Sequence, residues 1–270
     1  DLPYDRFIAE QIAGDLMLVA AIEEIAKGCA SSSLMVAAQD LSSLPMKLHA
    51  SDDLKDRVLP KMASGEWLGA FCLSEPDAGS DPGAMRTRAT KVDGGWQLNG
   101  AKNWITNAGV ADVYVTFAVT DPDVKYSRGI TAFAVMADSP GFRIDALEHK
   151  MGMKGSPTGQ PVYEDVFVPD ENVIGEVGKG FIGAMSTLDR SRLGIAAQAV
   201  DIAQGATDYA AAYAKERIAF GKPINTLQGI QFKLADMETK TAAARELLYR
   251  AASMSETNDP ALGKYSAMAK

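Results

Sequence analysis

Apolar positions change their period twice along the chain, and those changes give the first picture of the fold. From Leu16 to Ala63 the pattern is helical. Leu18, Ile22, Ile25 and Cys29 recur at spacings of three and four, with Glu23, Glu24 and Lys27 between them. Ser31-Ser32-Ser33 offers a cap for a second helix, in which Pro45 predicts a break. Ser51 caps a short third helix through Leu54 and Val58, which Pro60 and Gly65 help to end.

From Trp67 to Val168 the texture becomes that of strands, predicted over residues 67–73, 86–92, 96–102, 113–120, 130–136 and 162–168. Asp93-Gly94-Gly95 is a hairpin signal, because glycine accepts the positive φ of a tight turn. No long helical pattern intervenes, so the expected sheet is antiparallel rather than a set of βαβ units. Residues 181–214 and 226–255 then read as two long helices separated by Phe220-Gly221-Lys222-Pro223, an antiparallel hairpin within a bundle. The expected class is α+β and multidomain. A helical N-terminal region (1–65) precedes a central antiparallel β-barrel or sheet (66–172) and an incomplete C-terminal helical bundle (173–270).

Composition narrows the function classes. The chain has 270 residues and a net charge of −8, from 35 acidic and 27 basic side chains, which argues against a nucleic-acid partner. No apolar run approaches the roughly 20 residues of a membrane span, and Asp1-Leu2-Pro3-Tyr4-Asp5 is acidic where a signal peptide is basic. Two cysteines (Cys29, Cys72) and two histidines (His49, His149), far apart in sequence, give no zinc spacing and no disulfide framework. The cysteines read as buried hydrophobes in a reducing compartment. A start at Asp1 and an end at Lys270 without a stop signal read as a chain cut at both ends.

Three stretches carry candidate chemistry. Gly178-Lys179-Gly180-Phe181-Ile182-Gly183 matches G-x-G-x-x-G, but it does not follow a strand directly and lies in no βαβ unit. It reads instead as a flexible interdomain linker. Residues 71–81, F-C-L-S-E-P-D-A-G-S-D, follow a strand and end in small residues, so backbone N–H groups and hydroxyls could meet a phosphate there. A plain turn is the other reading, with Glu75 and Asp77 solvated. In Asn99-Gly100-Ala101-Lys102-Asn103-Trp104-Ile105-Thr106-Asn107, an extended backbone would put Trp104 and Thr106 on one face, suited to a flat heteroaromatic ring. A core Trp beside a surface Thr is the alternative.

These residues resemble the acyl-CoA dehydrogenases. Residues 72–84, C-L-S-E-P-D-A-G-S-D-P-G-A, look like the family's first signature. The likeness continues through residues 98–107, 151–156, 166–169, 188–192 and 217–222, with 23–31 upstream, in order and with family-like spacing over residues 16–270. Residues 1–15 lack the expected glycine-rich approach. The resemblance implies FAD and an acyl-CoA thioester. Phe71, Leu73, Ser74, Gly79 and Ser80 would line the flavin and its pyrophosphate. Trp104, Ile105 and Thr106 would meet the ring, with Trp104 packed on it and Thr106 bonding near its hydride-accepting nitrogen. Ser80, Asp189 and Arg192 would contact the CoA portion; Asp189 and Arg192 share a helix face at i, i+3, where a plain surface ion pair is the other reading. Arg217, Phe220, Leu227 and Gln228 would reach the FAD of a neighbouring subunit, which implies an oligomer, commonly a tetramer.

The implied reaction is α,β-dehydrogenation, in which a carboxylate takes the α-proton and a hydride leaves the β-carbon. Hydrogen bonds to the thioester carbonyl stabilise the developing charge. Electrons would pass to an electron-transfer flavoprotein in the cytoplasm, or in the mitochondrial matrix of a eukaryote. The family's usual base is a Glu near the C-terminus, which here is expected beyond Lys270; the minority position directly before Arg192 is Ser191. No catalytic residue and no metal ligand is therefore expected within the chain. An acyl-CoA oxidase of the same fold and a non-catalytic acyl-CoA or flavin binder are the alternatives.

Overall fold

A computed structural model describes residues 15–124 and 128–270. The expectation about residues 1–15 lies, but for Asp15, outside the described residues. The described residues form six α-helices, a nine-stranded sheet and a small two-stranded one. The helices are α1 (Asp15–Gly28), α2 (Ala30–His49), α3 (Asp52–Ser64), α4 (Gly180–Glu216), α5 (Gln228–Glu256) and α6 (Leu262–Ala269). The strands that position the candidate residues are β1 (Gly69–Cys72), β2 (Arg88–Val92), β3 (Gly95–Ala101), β4 (Ile105–Thr106), β5 (Val113–Val119) and β6 (Ile130–Met136). They are followed by β7 (Phe142–Leu147), β8 (Thr158–Pro169), β9 (Val173–Ile174), β10 (Ile218–Ala219) and β11 (Lys222–Pro223).

The chain divides into two compact units, residues 38–188 and a second made of residues up to 37 with 189–270. In the first, the main path of the sheet runs β4-β8-β3-β2-β5-β6-β9, with β1 on β5 and β7 on β8. The helical–sheet–helical α+β order is as expected and most strand pairs are antiparallel, but the sheet is mixed: β1 and β2 each pair with β5 in parallel. The sequence between β1 and β5 is filled by a hairpin and turns rather than by a helix, so no βαβ signal announced the parallel pairs. Period-two alternation sorts β5 and β6 into two cores. Val113, Val115, Phe117, Ile130, Ala132 and Ala134 pack with α3, while Tyr114, Ala118, Phe133 and Val135 pack with β3 and β8. Burial on both faces explains why these strands are nearly continuous apolar runs.

Ser51 caps α3 as expected, its hydroxyl accepting from Leu54 N at 3.3 Å, and Gly65 closes the helix. Pro45 sits inside α2 without ending it, so only one main-chain bond is forfeited there. The Gly178–Gly183 stretch is packed and does not act as a loose linker. Gly178 N donates to Thr131 Oγ1 at 2.9 Å, and a Cβ on Gly180 would lie 2.7 Å from Ala132 N. The glycines thus let the start of α4 lie directly on β6.

In the second unit, Val19 and Ile22 of α1, Leu193, Ala197 and Val200 of α4 and Leu248, Ala251 and Ala252 of α5 form one core. Above it Arg245 pairs with the buried Glu23 and Asp201, and Tyr249 donates to Glu23 at 2.7 Å. Of the two cysteines, Cys72 is buried as expected but Cys29 is exposed, at the junction of α1 and α2.

Candidate functional site

In the first unit the turn after β1 and the segment entering β4 lie side by side. Asn103 N donates to Ser74 O at 2.9 Å, and Asn107 Nδ2 donates to Gly69 O at 2.9 Å. Of the residues expected here, Phe71, Ser74 and Thr106 are half-buried and Gly79, Ser80 and Trp104 exposed. Leu73 and Ile105 point into the two cores, so only their main chain faces outward. The Trp104 backbone is left-handed, with φ 59°, and not extended. Strand alternation therefore does not align Trp104 with Thr106. A bulky residue in that region costs about 1–3 kcal/mol unless its surroundings hold it. Here Asn103 Oδ1 accepts from Trp104 N at 2.9 Å, and Asn107, at φ 65°, closes the other side of β4. The indole is 61% exposed as a result.

Beneath this surface is an ion pair that the sequence reading missed. Lys102 is fully buried, and its Nζ donates to Glu75 Oε1 at 2.8 Å and to Leu73 O at 3.3 Å. Glu75, expected to be solvated, is also buried and accepts from Arg86 N at 2.6 Å and Thr87 N at 3.0 Å. Burial by itself raises the Glu75 pKa. The Lys102 charge and the two N–H donors outweigh it and hold the carboxyl below its ordinary value. Burial lowers the Lys102 pKa, opposed by the Glu75 charge. Only the alternation of a Lys within a strand-like apolar context could have hinted at burial; its partner is 27 residues away.

In the second unit, Asp189 and Arg192 form an ion pair with each other along α4, both half-buried. Arg217, Phe220, Leu227 and Gln228 lie on the β10–β11 hairpin and the start of α5. Phe220 and Gly221 form its two-residue turn, both with positive φ (53° and 74°). Such a turn normally takes Asn-Gly; here a phenylalanine occupies the strained position and is 91% exposed. Arg217 and Gln228 are exposed, and Arg217 makes no ion pair among the described residues.

The donor chemistry of the first unit suits a flat, polar-edged ligand. The side-chain hydroxyls of Ser74, Ser80 and Thr106 make no hydrogen bond among the described residues, and they accompany an uncovered indole. A cleft of about 590 Å³ on this unit is lined by Gly83, Met85, Arg86, Arg88, Asp121 and Val124. Another, of about 280 Å³, lies by His49, Phe117 and Lys179 and includes none of the expected residues. The hydroxyl-and-indole surface is a stronger candidate than either cleft, because it combines strain, exposure and uncommitted donors. Among the described residues no group of three His, Cys, Asp or Glu could hold a metal. None of their helices is long and apolar enough to cross a membrane.

Comparison with known proteins extends this picture. Family models described as the N-terminal, middle and C-terminal domains of acyl-CoA dehydrogenase match residues 11–66, 70–166 and 178–270. "Probable acyl-CoA dehydrogenase FadE25" of Mycobacterium tuberculosis is 48% identical over 250 residues, covering 92% of this chain and 64% of its own length. The solved butyryl-CoA dehydrogenase from Megasphaera elsdenii is 43% identical with a TM-score of 0.91, over 93% of this chain and 66% of that one. A chain in a structure of the electron transferring flavoprotein of Acidaminococcus fermentans, a study of flavin-based electron bifurcation, is 41% identical. Its TM-score is also 0.91, and it aligns over 93% and 66%. The chain thus spans about 64% of the length of the curated relatives at the head of the comparison.

Proposed function

This chain belongs to the acyl-CoA dehydrogenase family, and on that premise we propose that it serves FAD-dependent α,β-dehydrogenation of an acyl-CoA thioester. The observation that carries the reading is Trp104, held exposed in a left-handed conformation next to Asn103, whose N–H donates to Ser74 O, and two residues before Thr106, with the Ser74 and Thr106 hydroxyls uncommitted. FAD, when bound, would accept the hydride.

Each residue then has a task of its own. Trp104 supplies a flat face for the ring, and Thr106 and Ser74 offer hydroxyls to its polar edge. Leu73 and Ile105 contribute main-chain atoms, and Phe71 backs the turn through its contact with Phe117, 5.0 Å between ring centroids. Gly79 and Ser80 leave room for a pyrophosphate to approach the backbone. Asp189 and Arg192 would contact CoA, and Arg86 and Arg88 on the larger cleft would meet its phosphates as exposed cations. Arg217, Phe220, Leu227 and Gln228 are proposed to serve the FAD of a neighbouring subunit in a tetramer. The base that takes the α-proton is assigned to none of the described residues. The electron-transfer flavoprotein is proposed as acceptor, supported by the flavoprotein structure among the similar chains.

The test is anaerobic mixing of the complete FAD-loaded gene product with butyryl-CoA, followed by admission of air. Bleaching of the visible flavin bands, with slow return in air, is expected. No bleaching would contradict the dehydrogenation, and rapid return would mark an oxidase instead.

A further inference from the structure

Lys102 is among the largest fully buried side chains of the described residues, and a buried ammonium is costly unless fully paired. Its surroundings show what that cost maintains. Lys102 Nζ reaches Leu73 O and Glu75 Oε1, and Met85 Sδ lies 3.8 Å away. Glu75 in turn holds the backbone of Arg86 and Thr87. Its own N–H and carbonyl close a tight turn with Ala78, at 2.9 and 3.2 Å. The main chain of Lys102 donates to Pro161 O at 2.8 Å, which fixes this residue to β8. Two residues further on stands Trp104.

Three segments distant in sequence, 73–78, 85–87 and 102–106, are therefore tied through one pair of opposite charges. Two of them carry Ser74, Trp104 and Thr106, and Ser80 stands two residues past the end of the first. A salt bridge serving only the fold could sit anywhere in the cores, and an apolar pair of equal volume would often do as well. This one spans the seam between the two loops whose side chains face outward together.

We propose that Lys102 and Glu75 are positioning residues, which hold the residue 73–78 turn against the Trp104–Thr106 segment so that both meet one flavin ring. The inference rests on the FAD reading above. The pair touches neither ring nor substrate; it acts through the backbone of Leu73 and the turn closed at Ala78.

The test separates folding from flavin binding. Lys102→Met and Glu75→Gln each leave one uncompensated buried charge, so both lower the unfolding temperature and weaken FAD binding by about tenfold or more. The double variant Lys102→Met/Glu75→Gln carries no such charge. It should recover most of the unfolding temperature, yet still bind FAD weakly and give an altered visible spectrum of the bound flavin. A purely structural role predicts the opposite, with flavin affinity and spectrum restored along with stability. That result would overturn the proposal. Hydrogen exchange on the unmutated chain gives a check that needs no variant. FAD should protect amides of 73–78, 85–87 and 102–106 together, and protection of only one segment would overturn the proposal as well. If the unmutated chain binds no FAD, the functional reading fails rather than the role of the pair.

Discussion

Two aromatic residues in left-handed backbone, Trp104 and Phe220, are both largely exposed. A fold gains nothing from either arrangement, since an L-residue there costs about 1–2 kcal/mol and the side chain buries little. Replacing Phe220 with Asn gives the turn the residue its geometry favours. Phe220→Asn should therefore raise the urea-unfolding stability of the flavin-free chain by about 1 kcal/mol, and unchanged or lower stability would show that no strain resides there. The buried pair makes a pH prediction. The Glu75 pKa is held below its ordinary 4.5, so its stabilisation is complete above that value and is lost as pH falls beneath it. Glu75→Gln should cost about 3–5 kcal/mol near neutral pH, with the deficit shrinking in acid; denaturant titrations at pH 7 and 3 would show it. The cysteines should also differ. Hydrogen bonding to Ser32 lowers the pKa of exposed Cys29, while burial pushes Cys72 up to about 12. A thiol reagent should label one cysteine quickly in the folded chain, and Cys29→Ser should remove that fast phase.

Among the elements, local signals were legible where local chemistry decides them. The 3.6-residue period gave α1 through α5, and Ser51 and Asp93-Gly94 marked a cap and a hairpin turn that the structure contains. Strand β7 was missed although Phe142, Arg143, Ile144 and Asp145 alternate apolar and polar, because the run is short and lacks the β-branched and aromatic density of β5 and β6. The parallel partners of β5 and the Lys102–Glu75 pair depend on residues far apart in sequence, and no window of the chain contains both members. Left-handed Trp104 was equally hidden, since a tryptophan carries none of the turn signal of Gly or Asn. The G-x-G-x-x-G stretch illustrates the converse, a motif whose glycines serve packing. Gly180→Ala should clash with the β6 backbone and cost about 1–3 kcal/mol. Gly183→Ala should cost less, because its neighbour is the movable ring of His49, 3.2 Å from the added atom. Equal losses in thermal unfolding would refute that distinction.

At the scale of the whole molecule, six motifs in register pointed to the family, and three family domains match in the same order. The candidate positions could be named from the sequence, and the geometry around them could not. Side chains expected to face a ligand include two that face the cores, and the pair that ties the loops together lay outside the expectation. The central claim is that the first unit presents a flavin-binding face built around Trp104. It is tested most directly by titrating FAD into the purified chain and into Trp104→Gly, following both flavin fluorescence and thermal unfolding. Glycine accepts the left-handed backbone without strain, so the variant should stay folded, with stability equal to or above that of the parent, while its FAD affinity falls by at least about tenfold. A folded Trp104→Gly chain that binds FAD as tightly as its parent would contradict the account.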